Sequence, residues 1–351
     1  MRRLNKLILL IFIVVGSILR VYNIGFQNFW TEEAYSLNMS SLPIIDLVFK
    51  SFASDFNPPL YYIFAHLSLL LTNGYDVAIR YPSVIAGVLL IPAMFYLGKQ
   101  YKDELTGLYC AGLTTIILPF IYYSQFGRAY AMSLLCFTIA LILYLRLKDG
   151  DNHIDIQILF WIIVVVNLYV HLFALIPLSL ICLDLLMDRK NWLCGISAAI
   201  VSLPLVGMLV SVLSTRTHNM YDYGATPLQM AFLTFPEFFN TIFLNIVALA
   251  FVGVWLYRSK INNILVVITI VTLIVGVVGA EITPMFPRYL MSAAIVILLF
   301  CCVGITELTT ILNRKTGIDL TYVVMIGVFA VFIWMMLPNL ESHYFVQQYV
   351  G

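Results

Sequence analysis

The stretch Lys6-Leu-Ile-Leu-Leu-Ile-Phe-Ile-Val-Val-Gly-Ser-Ile-Leu-Arg20 determines the fold class of this protein. It lies in residues 5–22, a segment long and apolar enough to cross the hydrocarbon core of a bilayer as a helix, which takes about 20 mostly apolar residues. Arg2 and Arg3 give the segment a basic start, and no small-residue cleavage site clearly follows it. The pattern predicts a signal-anchor that is retained as the first transmembrane helix.

The composition extends this conclusion to the whole chain of 351 residues, of which 62% are hydrophobic and 11% are charged. A soluble domain is about 45–50% apolar and about 25% charged, so a soluble core of this size could not bury such an excess. The composition excludes a soluble enzyme, a secreted disulfide scaffold and a disordered chain. A net charge of +1 argues against a nucleic-acid partner.

The six cysteines lie in or beside apolar runs and lack the paired spacing of a zinc site. This indicates that they serve as small apolar residues of the helices and not as metal ligands.

The hydropathy pattern predicts an all-α polytopic membrane protein in a single domain, residues 1–351. A module over about 1–190 holds most of the polar motifs, and C-terminal helices occupy about 191–351. Eleven apolar segments have roughly the length of a membrane span. They lie near 5–22, 78–98, 105–123, 129–147, 156–171, 173–187, 192–213, 240–257, 263–280, 289–306 and 321–338.

The distribution of Lys and Arg predicts the orientation, because cytoplasmic loops are enriched in basic residues. With the N-terminus in the cytoplasm, 13 of the 19 Lys and Arg fall in inner loops. The other six then lie at the outer face, and they are Arg20, Lys50, Arg80, Arg128, Arg216 and Arg288. This orientation places the C-terminus outside and leaves one long outer loop over about 23–77.

For two segments, hydropathy alone does not fix the number of membrane crossings, and the distribution of charged residues is needed as well. Residues 156–187 contain no basic residue but have basic flanks, which predicts two short helices that turn at the outer face near His171. Residues 57–72 are apolar but short, and a span there would reverse the later alternation. We therefore predict an interfacial or re-entrant helix there, with Pro58-Pro59 in its first turn.

The remaining polar residues concentrate at the predicted outer face, in motifs that combine ionisable groups with aromatic residues and proline. They are Trp30-Thr31-Glu32-Glu33-Ala34-Tyr35-Ser36, Asp55-Phe56-Asn57-Pro58-Pro59-Leu60-Tyr61-Tyr62, Ser124-Gln125-Phe126-Gly127-Arg128-Ala129-Tyr130 and Pro287-Arg288-Tyr289. A carboxylate pair at a membrane surface suits a general base that takes a proton from a hydroxyl acceptor. Arg128 or Arg288 suits a leaving phosphate, which a guanidinium binds with two parallel hydrogen bonds.

Each of these groups also has a purely structural interpretation. A solvated loop often presents a pair such as Glu32 and Glu33, and an arginine at a helix end often extends to the interface. His171 alone is also consistent with a hydrogen-bonded interfacial residue, and Trp30 with an aromatic anchor. Taken by themselves, the residues indicate a polytopic membrane protein with a polar site at its outer face.

The ordered set of motifs is similar to that of membrane glycosyltransferases of the C-type fold (GT-C). The motifs are W-T-E-E-A-Y-S, D-F-N-P-P-L-Y-Y, Y-Y-S-Q-F-G-R-A-Y and Y-V-H-L-F-A. They most resemble glycosyltransferase family 39 and its relatives, which include protein O-mannosyltransferases, lipid A aminoarabinose transferases and lipopolysaccharide-core transferases. The family pattern is W-x-D-E-A, D-x-H-P-P-L-Y-Y and S-Q-E-A-R-x-Y. The similarity covers about the first 190 residues, with a weaker match at 287–290; each motif alone is weak, and the ordered set is fairly specific.

The resemblance implies the GT-C fold and an inverting transfer of a sugar from a polyprenyl phosphate at the outer face. It makes Glu32 the expected base and places Glu33 at the second acidic position. Gln125, Arg128 and Tyr130 keep their positions in the family pattern, and together with Arg288 they are predicted to bind the donor phosphate. We predict acceptor contact or loop ordering for Asp55, Asn57, His171 and Tyr61.

The chain departs from the family pattern at three of these positions. Glu32 replaces Asp, which moves the carboxylate by about an ångström. Asn57 stands where the family usually has His, and Phe126 stands where it usually has Glu. Because few outer acids remain, a divalent metal is not supported, and we predict neither metal ligands nor a firm cofactor.

The sequence therefore predicts a plasma-membrane glycosyltransferase that uses a dolichyl- or undecaprenyl-phosphate sugar. The acceptor is predicted to be a hydroxyl on a lipid, glycan or protein, and neither the sugar nor the acceptor is specified by the sequence. One alternative is a transporter or flippase of a lipid-linked glycan, which would need charged groups near mid-membrane and often has repeats. Another is a structural membrane subunit that has lost its activity.

Overall fold

The computed structural model describes residues 3–55, 57–151, 153–187, 192–216, 245–260, 262–280 and 291–345, and this part of the chain is helical without a β-strand. Its helices are α1 (Arg3–Val21), α2 (Thr31–Ser40), α3 (Ile44–Ser54), α4 (Leu60–Leu71), α5 (Tyr81–Tyr101), α6 (Glu104–Ile116), α7 (Leu118–Ser124), α8 (Tyr130–Lys148), α9 (Ile154–Val170), α10 (Leu175–Leu186), α11 (Trp192–Arg216), α12 (Asn245–Leu256), α13 (Asn263–Ala280), α14 (Met291–Thr316) and α15 (Thr321–Phe345). The all-α polytopic architecture predicted from the sequence is confirmed.

Where the structure describes them, the predicted spans coincide with helices or, at 105–123, with a bent helix pair. The turn predicted near His171 is present, because His171 separates α9 from a 3₁₀ turn and α10. Within the described ranges, five helices are long and apolar enough to cross a bilayer, or six if α6 and α7 form one bent span. Helices such as the 12-residue α10 are about 18 Å long, shorter than the hydrocarbon core. Eleven crossings therefore remain a prediction.

The segment predicted as a long outer loop contains three short helices, α2, α3 and α4. The helix expected at 57–72 is α4, but the proline pair precedes it instead of lying in its first turn. Pro59 is the N-cap residue, with φ −72° and ψ −19°. Its fixed φ suits entry into a helix, where a missing N–H leaves no bond unmade.

Helices α6 and α7 meet at a bend of 61°, and a buried arginine binds the backbone carbonyls that the bend leaves free. Pro119 has no N–H for the carbonyl of Thr115 four residues earlier, so the helical ladder stops there. Arg20 donates instead, from Nη2 to Thr114 O at 2.9 Å and from Nη1 to Thr115 O at 3.4 Å. Its Nε also donates to Ser124 Oγ at 3.1 Å. Arg20 lies in the last turn of α1, at the end where the outer face was predicted, and its side chain is fully buried.

Helix α5 lies at the centre of the bundle, in contact with α1, α6 and α8, while α9 covers the other side of α8. Small residues allow the close approach of α5 and α6, because a Cβ on Gly98 would lie 2.9 Å from the Cα of Gly107. Helix α14 packs against α6, α8 and α5, which brings the C-terminal helices onto the same core. The N-terminal and C-terminal parts thus share one hydrophobic core.

The two ends of the bundle carry different polar groups. At the end where α1 begins, Asn5 Nδ2 donates to Glu104 Oε2 at 2.8 Å, and Lys102 pairs with Glu307 at 3.0 Å. At the opposite end, α1 ends, α8 begins and the helices α2, α3 and α4 lie. We call this opposite end the site end, because the acidic and arginine motifs meet there.

Candidate active site

Glu33 forms a buried ion pair with Arg80 at the site end. Arg80 donates from Nε to Glu33 Oε1 at 2.8 Å and from Nη2 to Glu33 Oε2 at 2.9 Å. The same carboxylate accepts from Gly127 N at 2.7 Å and from Trp30 N at 3.2 Å. Glu33 is fully buried on the inner side of α2. Its oxygens are therefore occupied by protein donors, which favours a structural role over proton transfer.

The Gly127 position has no space for a larger residue. A Cβ there would lie 3.1 Å from Glu33 Oε1 and 2.9 Å from Ile79 Cδ1. The missing side chain lets the backbone N–H approach the carboxylate. The acidic motif is thereby held against the loop that precedes α8.

Arg80 also fixes the chain between α1 and α2. Its guanidinium donates to the carbonyls of Ile24, Gln27 and Asn28 and stacks over the Phe29 ring, 4.9 Å from the centroid. The distribution of Lys and Arg predicted only that Arg80 lies at the outer face. Its apolar neighbours in Ala-Ile-Arg-Tyr-Pro could have indicated a buried ion pair, because a buried charge needs a partner.

Arg128 lies beside the helix that carries the two glutamates. Its Nη1 donates to Ser36 Oγ and to Tyr62 OH, each at 3.1 Å, and lies 3.4 Å from the backbone oxygen of Glu32. Tyr130 also hydrogen-bonds its side chain. Arg128 is 8% exposed. The cation is thus largely buried and is oriented by hydroxyls and a carbonyl, with the Asp55 carboxylate close enough to stabilise its charge.

Tyr62 connects Arg128 to Asp55. Burial raises the pKa of the Tyr62 phenol well above its usual range, with Asp55 adding to the increase and Arg128 opposing it. The phenol therefore stays protonated, accepts from Arg128 and hydrogen-bonds Asp55. Tyr62 belongs to the D-F-N-P-P-L-Y-Y motif, but the sequence alone predicted no role for it.

Glu32 differs from Glu33 in exposure although the two are neighbours. Successive side chains on a helix are rotated by about 100°, so Glu33 enters the core while Glu32 is only partly buried. The backbone oxygen of Glu32 accepts from Ser36 Oγ at 3.1 Å, and Ser36 Oγ is also bound by Arg128. Glu32 therefore lies one helical turn before Ser36, whose hydroxyl accepts from Arg128.

Gln125 caps the end of α1. Its Nε2 donates to the carbonyls of Arg20 at 3.1 Å and Tyr22 at 2.8 Å and reaches that of Leu19 at 3.3 Å. Its Oε1 contacts His343 Nε2 at 2.7 Å. Because both ends of the amide are occupied, we infer that Gln125 orders the site and does not bind the donor phosphate.

Gln125→Leu is expected to lower the free energy of unfolding by about 2–4 kcal/mol, since several buried carbonyls lose their donor. Its affinity for a polyprenyl phosphate is expected to remain within about two-fold of wild type. Chemical denaturation and lipid binding in detergent measure the two effects. Gln100→Leu at the far end, where Gln100 bonds only an exposed Asp149 oxygen, is the matched control. A large loss of lipid affinity with normal stability would restore the phosphate-binding role.

The other predicted residues order the loops around this centre. Tyr61 OH donates to Ile79 O at 2.8 Å and contacts Ser83 Oγ, which in turn donates to the Arg128 carbonyl. Asn57 Nδ2 lies 3.4 Å from Asp55 Oδ1. His171 lies beside Tyr130, with 5.4 Å between the ring centroids.

Phe126, which replaces the family's usual Glu, lies in an aromatic stack. Its ring is nearly parallel to those of Tyr122 and Tyr130, at centroid distances of 5.7 and 6.1 Å. No three His, Cys, Asp or Glu side chains form a metal-binding group in the described ranges. Arg288 and the rest of 281–290 lie outside the described residues, so its predicted role remains a prediction.

His343 was not anticipated from the sequence. The predicted eleventh span stops at 338, whereas α15 continues to Phe345 and brings His343 against Gln125 and Tyr122. Gln27 Nε2 donates to the His343 carbonyl at 2.8 Å, and Asn23 Nδ2 donates to that of Tyr344 at 3.1 Å. The final helix therefore closes one side of the site.

Comparison with solved structures identifies the fold. AglB, the archaeal oligosaccharyltransferase from Archaeoglobus fulgidus in complex with an inhibitory peptide and a dolichol-phosphate, superposes with a TM-score of 0.64 at 12% identity, over 98% of this chain and 56% of AglB. ArnT from Cupriavidus metallidurans superposes with a TM-score of 0.60 at 13% identity in its apo state, over 96% of this chain and 65% of ArnT. The form of ArnT bound to undecaprenyl phosphate gives 0.55 at 14% identity, over 96% and 64%.

These similarities give the chain the GT-C fold of integral membrane glycosyltransferases, in agreement with the resemblance of its motifs. The chain spans between about half and two thirds of the length of these solved proteins. No protein-family model and no curated protein sequence matches the chain.

Proposed function

We propose that the protein is an inverting glycosyltransferase that moves a sugar from a polyprenyl phosphate to a hydroxyl acceptor at the outer face of the plasma membrane. The observation that carries this proposal is the arrangement of Arg128, a largely buried cation held by Ser36 one helical turn from Glu32. An oriented cation and a nearby carboxylate are the two groups that such a transfer needs.

In the proposed reaction, the Glu32 carboxylate takes the proton of the acceptor hydroxyl as its oxygen attacks C1 of the sugar. The bond between C1 and the phosphate oxygen breaks, and the electron pair leaves with the polyprenyl phosphate. Arg128 stabilises the charge that develops on this phosphate. Glu33 and Arg80 keep the two reacting elements, α2 and the loop before α8, at a fixed distance.

A lipid-facing groove supports the choice of a polyprenyl donor. The groove has a volume of about 410 Å³ between α9 and α11, and its lining of Ile158, Trp161, Val165, Val166 and Val201, among others, is almost entirely apolar. Val166 lies about 7 Å along α9 from His171 at the site end. An isoprenoid chain fits this groove, and AglB and ArnT have been solved with dolichol-phosphate and undecaprenyl phosphate, respectively.

Binding of undecaprenyl phosphate to the purified protein in nanodiscs tests the proposal. Arg128→Met is expected to weaken binding by about 10- to 100-fold, because it removes charge-assisted hydrogen bonds. Lys50→Met on α3, which removes an exposed basic residue elsewhere at the site end, is the matched control and should bind normally. If wild type bound neither undecaprenyl nor dolichyl phosphate, or if Arg128→Met bound as well as wild type, the donor assignment would be wrong.

A further inference from the structure

A cavity distinct from the apolar groove lies where α8, α10, α14 and the turn after α9 meet. Its walls include Tyr130, Ser133, Phe137, His171, Phe173 and Ser292. The space within it that admits the centre of a water molecule is about 20 Å³. Since one water needs about 10–15 Å³ of such space, the cavity accommodates one or two hydroxyl-sized groups.

The cavity is backed by a buried polar pair within the helices. Ser133 Oγ donates to Asn167 Oδ1 at 2.7 Å, and Asn167 is fully buried on α9. Because the hydroxyl proton of Ser133 is used in this bond, the Ser133 oxygen can accept a hydrogen bond from a ligand. Asn167 Nδ2 has no hydrogen-bond partner among the described residues, so the pair also has an unused donor. Buried polar groups in an apolar helix are costly and usually serve a ligand or a function.

The cavity is connected to the proposed phosphate site through Tyr130. This residue hydrogen-bonds Arg128, lines the cavity and packs against His171. A group attached to a phosphate at Arg128 would therefore lie close to the cavity mouth. Among the described residues of its lining are hydroxyls, an imidazole and aromatic faces, and none of these described residues carries a carboxylate, ammonium or guanidinium group.

We propose that this cavity binds a hydroxyl-bearing edge of the donor's glycosyl group and thereby selects the sugar. The inference rests on the proposed function, because it places the sugar next to a phosphate held by Arg128. A sugar hydroxyl can donate to the Ser133 oxygen, which Asn167 positions from behind, and Phe137 and Phe173 give the cavity apolar walls. A site that hydrogen-bonds a substrate hydroxyl strongly rejects an analogue without it, because its own polar groups are then left unpaired.

Dissociation constants for undecaprenyl phosphate and for its glucose, mannose, galactose and aminoarabinose derivatives test this proposal without any acceptor. We expect wild type to bind at least one glycosylated lipid about ten-fold or more tightly than the bare lipid. Ser133→Ala and Asn167→Leu should each reduce this preference by about ten-fold and leave the affinity for the bare lipid unchanged. Ser133→Thr, which retains the hydroxyl, should retain the preference, so Ser133 decides the test even if Asn167→Leu fails to fold. Ser179→Ala is the matched control, since Ser179 Oγ donates to the Ile176 carbonyl within its own helix, α10.

The possible results separate this inference from the proposed function. If neither undecaprenyl nor dolichyl phosphate binds, the donor assignment fails and the cavity proposal fails with it. If the bare lipid binds but wild type shows no preference for any glycosylated form, the cavity proposal alone is overturned. It is also overturned if Ser133→Ala keeps the preference, or if it weakens the bare and glycosylated lipids equally.

Discussion

Glu32→Gln is expected to reduce glycosyl transfer by about a thousand-fold, within the range of about 10²–10⁴ that a positioned general base contributes. The amide retains the shape of the side chain and removes its ability to take a proton. Because Glu32 is only partly buried and the amide keeps the size of the side chain, the variant should insert and fold like wild type. Its affinity for undecaprenyl phosphate should also be unchanged. Turnover, lipid affinity and denaturation of the same preparation measure these effects.

Two variants make this test specific. Glu32→Asp restores the residue that the family pattern has, but shortens the reach by about an ångström, so partial activity is expected. Asp46→Asn removes an exposed carboxylate from the first turn of α3 and should leave transfer unchanged. Full activity in Glu32→Gln would assign the base to a different group.

The positions of the helices could be predicted because they depend on local hydropathy. Each apolar run of sufficient length became a helix, and the turn at His171 followed from an apolar run too long for one span. Basic residues also marked the end opposite the site, where Lys102 pairs with Glu307 and Lys148 with Asp184. Both features follow from local hydropathy and from the positions of Lys and Arg, which can be read directly from the sequence.

The roles within the site could not be predicted, because they depend on contacts between distant segments. Glu32 and Glu33 look equivalent in sequence, and a rotation of about 100° on α2 makes one partly exposed and the other fully buried. The pairing of Glu33 with Arg80 joins residues 47 positions apart. His343 approaches Gln125 across 218 positions, and no local pattern indicates this contact.

Glu33→Gln is expected to destabilise the protein by about 3–5 kcal/mol, the cost of leaving one member of a buried ion pair without its partner. The substitution keeps the volume of the side chain but leaves the Arg80 cation, 2% exposed, without a counter-ion. The amide keeps only one acceptor oxygen, so either the Gly127 or the Trp30 contact should also be lost. Chemical denaturation in detergent, followed by tryptophan fluorescence, measures the effect.

A double variant separates the structural role of Glu33 from a catalytic one. Glu33→Gln combined with Arg80→Met removes both charges and should recover part of the lost stability, since no uncompensated ion remains buried. Glu307→Gln, which breaks a more exposed pair at the far end, is the control and should cost at most about 1 kcal/mol. Activity lost in Glu33→Gln should return in proportion to the stability regained, because the residue acts by holding α2 in place. If Glu33→Gln unfolded like wild type and still abolished transfer, the base would be Glu33, and Glu32 would be the residue that orients it.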